Sequence, residues 1–189
     1  DILAYKNGTS RSGMIDRILA QHVSYVTPEM RLSQIFQHLE NQLCRNDDFQ
    51  LLAQPSNTMM SLRSALAFKY NPTVHYSVQL DRTIGDVVTG EFRASMRTQN
   101  VSLISALQAF YRTWIRVEAQ ATGGSEYTID KDRFSRKIAY REKNGTTFEE
   151  TMTSYIRVFD QALKAYFKYI GNLEYAEKEV ERIYHEHFA

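Results

Sequence analysis

The sequence predicts a mainly α protein with one strand per subunit, paired antiparallel with its copy in a second chain, and helical extensions on both sides. Three observations lead there. Apolar residues recur at helical spacing through most of the chain, most clearly from Phe148 to Ile170. One stretch alternates instead: Val74, Tyr76, Val78 and Leu80 fall on one face, and His75, Ser77 and Gln79 on the other. A solitary strand has two open edges, and a twofold-related copy is the simplest way to close one of them.

The elements follow in order. Residues 1–11 are polar, and Met14, Ile15, Ile18 and Leu19 then fall at helical spacing. Thr27-Pro28-Glu29 is a helix start, with a Thr cap, proline at the first position and an acid in the first turn. That helix runs to about Leu43, and Asn46-Asp47-Asp48 breaks it. A short helix from Phe49 to Ala53 precedes Pro55, and Ser56 and Asn57 cap another through Leu62, Leu66 and Phe68. Asn71-Pro72 stops it, because a residue before proline leaves the α region. After the strand, Asp81 caps a helix with Ile84, Val87, Val88, Phe92 and Met96 on its apolar stripe. Gln99-Asn100 breaks that helix, and Ser102 caps a second one that buries Leu107, Phe110, Tyr111 and Trp114.

Thr122-Gly123-Gly124-Ser125 reads as a linker. "DKDRFSRKIAYREK" follows as a short charged helix, and Asn144-Gly145 as a turn. Two amphipathic helices close the chain, Thr147 to Ile170 and Leu173 to Phe188, with Gly171-Asn172 between them. Three regions result: an N-terminal helical extension over 12–70, a strand-helix-helix core over 72–121, and a C-terminal helical region over 126–189.

Composition limits the function. The 189 residues carry a net charge of +1, so no global field selects a nucleic acid or a membrane. Bases do gather between Arg82 and Lys143, eleven against seven acids. The one cysteine, Cys44, has no internal disulfide partner, and no apolar run approaches the roughly 20 residues that span a bilayer. A cytoplasmic protein with no membrane contact is the expectation. No catalytic triad, phosphate-binding glycine loop or zinc motif is present, so neither enzymatic activity nor a cofactor or metal is expected.

A two-stranded ribbon fits the major groove of DNA, and the polar face of this one would point outward. "VHYSVQLD", the apolar stripe after it and "NVSLISALQAFYRTW" together resemble the ribbon-helix-helix (MetJ/Arc) superfamily of regulators, over roughly Thr73 to Trp114. The resemblance implies a homodimer that reads a double-stranded operator or promoter with His75, Ser77 and Gln79. Arg82 is then a phosphate contact, and the amides near Ser102 and Leu103 hold another phosphate. In general character the chain is also similar to larger regulators of conjugative plasmids, the AcaB-type activators of transfer genes. The expected function is a sequence-specific transcriptional regulator of plasmid or mobile-element transfer genes. The alternatives are a helical adaptor that holds a protein partner through its C-terminal helices, and a relaxosome accessory protein. Within a single chain, the candidate partner for Val74 to Leu80 is "EYTID", residues 126–130.

Overall fold

Thr73 to Leu80 is a strand, as its alternation predicts, but it lies between two strands of its own chain. The computed structural model describes residues 2–22, 26–46, 48–53, 56–82, 87–142 and 145–188. The chain runs through α1 (Ile2–Lys6), α2 (Arg11–His22), α3 (Pro28–Leu43), a 3-10 turn (Cys44–Asn46), β1 (Gln50–Leu51) and β2 (Met59–Ala65). It continues with β3 (Thr73–Leu80), β4 (Val87–Ser95), α4 (Val101–Thr122), β5 (Tyr127–Asp130), β6 (Arg133–Arg141), α5 (Phe148–Lys168) and α6 (Leu173–Phe188). The six strands form one antiparallel sheet in the order β1-β2-β3-β4-β6-β5.

This mixed α/β architecture replaces the expected mainly α, ribbon-helix-helix class. Tyr76 stands opposite Leu62 on one side and Ala94 on the other. Both edges of β3 are therefore occupied, and no intermolecular ribbon can form there. The single-chain alternative also fails, because residues 127–130 pair with β6 and not with β3.

Four segments that read as helices are strands. Phe49 to Ala53 contains β1, the stretch capped by Ser56 contains β2, the stripe after Asp81 contains β4, and the charged "DKDRFSRKIAYREK" contains β6. Ile84 lies outside the described residues. The misreading has a physical source: apolar residues four apart satisfy a helical stripe and a strand face equally. Phe92 and Met96 are four apart, yet Ala94 between them is equally buried.

The remaining helices are where the pattern puts them. Thr27 Oγ1 accepts from the Met30 amide at 3.2 Å and caps α3. Thr147 and Glu150 form a reciprocal capping box at the start of α5. Gly123 ends α4 at φ 80°, a left-handed position that suits glycine. Among the described residues, no helix is long and apolar enough to cross a membrane.

One face of the sheet is covered by helices. Phe159 of α5 packs its ring against Phe92 and Phe134 of the sheet and against Phe110 and Trp114 of α4. α3 packs on α5, and α6 packs on both α4 and α5. One buried apolar cluster therefore takes in α3, the four long strands and α4 to α6.

Two acids are buried inside it. Asp160 accepts from Tyr76 Oη at 2.9 Å and pairs with Lys164 at 2.7 Å. Glu118 accepts from Trp114 Nε1 at 3.2 Å, Tyr155 Oη at 3.0 Å and Arg136 Nε at 2.6 Å.

Gly90 faces Leu80 across the β3–β4 ladder. A Cβ there would lie 2.1 Å from the carbonyl oxygen of Gln79, a backbone atom that cannot swing away. Gly90→Ala is expected to spread the two strands and cost about 3 kcal/mol, the upper end for overpacking. A lower urea midpoint at unchanged slope is the measurement that checks it.

Candidate nucleic-acid interface

Among the described residues, no helix covers the second face of the sheet, and its chemistry follows from strand parity. Along β3 the inner residues Val74, Tyr76, Val78 and Leu80 are buried, so His75, Ser77 and Gln79 point the other way. Register then aligns neighbouring strands into rows. Gln50, Arg63, His75, Ser95, Arg133 and Asp130 form one row from β1 to β5. Ser61, Ser77, Arg93, Ser135 and Thr128 form the next, and Met59, Gln79, Glu91 and Lys137 a third.

Five bases of the strands take this face (Arg63, Arg93, Arg133, Lys137 and Arg141) against two acids, Glu91 and Asp130. Asp81 and Arg97, just past the ends of β3 and β4, add one charge of each sign. Arg93 is tied to Glu91 in an ion pair. Arg63 donates to the amide oxygen of Gln50, at 2.9 Å. Among the described residues, no ion-pair partner exists for Arg133, Lys137 or Arg141.

Four serines, Ser61, Ser77, Ser95 and Ser135, occupy the middle rows. Their short side chains keep the centre of the face flat and line it with hydroxyls. His75 has its pKa held below the usual histidine value, first by partial burial and then by the charges of Arg97 and Arg63. At neutral pH it is a neutral ring with one donor and one acceptor.

The sequence-predicted contact residues separate. His75, Ser77 and Gln79 share the outer face, as their alternation requires. Arg82 is exposed just beyond the far end of β3, near Thr58 and Asn57. Ser102 is exposed in the first turn of α4, and Leu103 is buried at 8% exposure. Asn100, not Ser102, caps this helix, accepting from the Leu103 amide at 3.1 Å. That amide is therefore already satisfied and cannot clamp a phosphate. Ser102 and Leu103 instead line a separate hollow with Lys69, Tyr70 and Arg97.

Sequence reasoning missed Arg63, Ser61, Ser95 and Ser135 as members of the site. It counted Arg93, Arg133, Lys137 and Arg141 only among the eleven bases gathered between Arg82 and Lys143. The signal was present in "RFSRKIAYR": Arg133, Ser135, Lys137, Ala139 and Arg141 alternate with Phe134 and Ile138, which are buried. Among the described residues, no group of His, Cys, Asp and Glu could hold a metal ion. The face presents donors and fixed positive charge, a surface matched to phosphate oxygens. No family model, no curated protein and no solved structure matches the chain.

Proposed function

We propose that the protein is a non-enzymatic DNA-binding protein that holds duplex DNA against the outer face of its sheet. The observation that supports this most directly is the excess of five bases over two acids on one uncovered face, three of the bases lacking an ion-pair partner among the described residues. Cations in this setting gain by releasing counterions condensed on DNA.

The dimensions favour the backbone over the bases. Six strands spaced by about 4.8 Å make a face about 24 Å across. The major groove is only about 12 Å wide. The face therefore rests on the phosphates flanking a groove rather than entering it, and sequence-independent affinity follows. Duplex is favoured over single strands, because the outward positions of the strands carry no Phe, Tyr or Trp on which unpaired bases would stack. This fits an accessory role on DNA better than the reading of an operator.

The test is fluorescence anisotropy on a mixed-sequence duplex across a range of salt. Replacing Arg63, Arg133, Lys137 and Arg141 together by Ala is expected to weaken binding by at least about 100-fold in low salt. The salt slope should fall by about 3 to 4, near 0.9 for each phosphate that is no longer neutralised. These side chains are exposed, so the variant keeps its fold. A folded quadruple variant that binds as tightly as the wild type, with the same slope, removes the reading.

A further inference from the structure

We infer that the cleft between β6, the end of α4 and the start of α5 is a binding site for a small monocarboxylate with an apolar body. The cleft encloses about 590 Å³, a size suited to small-molecule ligands. Its polar anchor is on the helix-covered side of β6, turned away from the outer face. Ile138, Tyr140, Phe148, Met152 and Tyr155 give it an apolar wall. Arg136 supplies the polar end.

The Arg136 guanidinium is held from two directions. Its Nε donates to Glu118 Oε1 at 2.6 Å, and its carbon lies 4.8 Å from the centre of the Tyr155 ring. The two terminal nitrogens remain. One reaches the Lys137 carbonyl at 3.4 Å, a long contact, and the Tyr127 hydroxyl lies beside the guanidinium and Glu118. Their end-on edge can donate two parallel hydrogen bonds, the geometry that matches a carboxylate.

The hydroxyl donors of the lining are already in use. The hydroxyl of Thr122 donates to the Glu118 carbonyl at 2.9 Å, that of Ser125 to the Lys137 carbonyl at 3.0 Å, and that of Thr151 to the Thr147 carbonyl at 3.0 Å. Free donation therefore comes from the Arg136 fork and from the Lys137 ammonium, which borders the cleft from the outward side of β6, and the ligand end that fits two such cations is a planar anionic acceptor. Glu118 already balances the guanidinium charge, so recognition rests on the shape of the fork more than on net attraction. Glu126 also lines the cleft and is exposed, which disfavours a second negative charge on the ligand.

Naphthoate and its neutral counterpart naphthalenemethanol are the probes, titrated separately and followed by naphthalene fluorescence. Naphthoate is expected to bind saturably and at least about tenfold more tightly than the alcohol. Arg136→Lys keeps a cation beside Glu118 but removes the fork, and should shrink that preference to less than about threefold. Thr151→Trp fills the cleft from a position whose hydroxyl bonds only within its own helix, and should abolish binding of both probes with the melting temperature retained. Absence of saturable naphthoate binding overturns the proposal. So do equal affinities for acid and alcohol, or undiminished binding by folded Thr151→Trp. Lys137 borders both sites, but neither variant alters it, so none of these outcomes bears on DNA binding by the outer face.

Discussion

Above pH 10 the protein is expected to unfold cooperatively within about two pH units. The cause is tyrosine. Tyr76, Tyr111 and Tyr155 are 1%, 0% and 7% exposed. Burial is the first reason that their hydroxyls hold protons well above the usual tyrosine range. Carboxylates add to it: Asp160 beside Tyr76, Asp132 beside Tyr111 and Glu118 beside Tyr155. Tyr127 and Tyr184 are pushed up to about 12, again chiefly by burial and then by Glu118.

The sign follows from which state keeps its protons. In the unfolded chain these tyrosines ionise near 10. In the folded protein they stay neutral. The unfolded state therefore binds fewer protons as pH rises past 10, and stability falls there. Below about pH 10 the contribution is complete. Each such tyrosine costs about 1.4 kcal/mol per pH unit in this window, so the three most buried ones remove about 4 kcal/mol per unit. Domains of this kind have only about 5–15 kcal/mol in total. Tyrosinate absorbance and far-ultraviolet circular dichroism, followed against pH, should break at the same point. Smooth ionisation from pH 10 with the dichroism unchanged would contradict the burial of these hydroxyls.

Glu118→Ala is expected to lower stability by about 3–5 kcal/mol at neutral pH. The carboxylate is 1% exposed and receives three donors. Its removal leaves the Arg136 guanidinium, whose side chain is 21% exposed at the cleft wall, with no counter-charge. Tyr155 loses its acceptor, but its oxygen still accepts from Trp114 Nε1 at 3.0 Å. The uncompensated charge is therefore the dominant loss. A second variant isolates it: Glu118→Leu combined with Arg136→Met removes both charges at similar volume and should recover most of the deficit. Urea midpoints of the wild type, the single variant and the double variant decide the matter. A double variant no more stable than Glu118→Ala would place the cost in packing instead.

How much of this fold was legible depends on which residues carried a signal of one period only. α3 and α5 were readable because Thr27 and Thr147 are caps followed by long stripes, and a stripe of five turns has no strand equivalent. β3 was readable because its alternation is strict. β2 was hidden by Ser56-Asn57, which resemble a helix cap, and β4 by Phe92 and Met96, whose spacing suits either element. β6 was hidden by its charge, since Arg136 and Tyr140 occupy inward positions that a simpler strand would fill with aliphatic side chains. Once these three strands were missed, β3 looked solitary and a second chain was needed to complete it. The outer-face identity of His75, Ser77 and Gln79 survived that error, because parity is local. Their neighbours were not legible, because register between Arg63, His75, Ser95 and Arg133 is set by turns and packing far along the chain.

The order of strands has a consequence for synthesis. β4 pairs with β3 on one side and β6 on the other, and β6 follows only after the whole of α4 and β5. While the chain emerges from the ribosome, β4 is the rim of an unfinished meander, with the apolar side chains of Phe92, Ala94 and Met96 uncovered. The last helices, which roof those side chains, arrive later still. Translation arrested before Arg133 would release a fragment with this apolar rim open to further strand pairing.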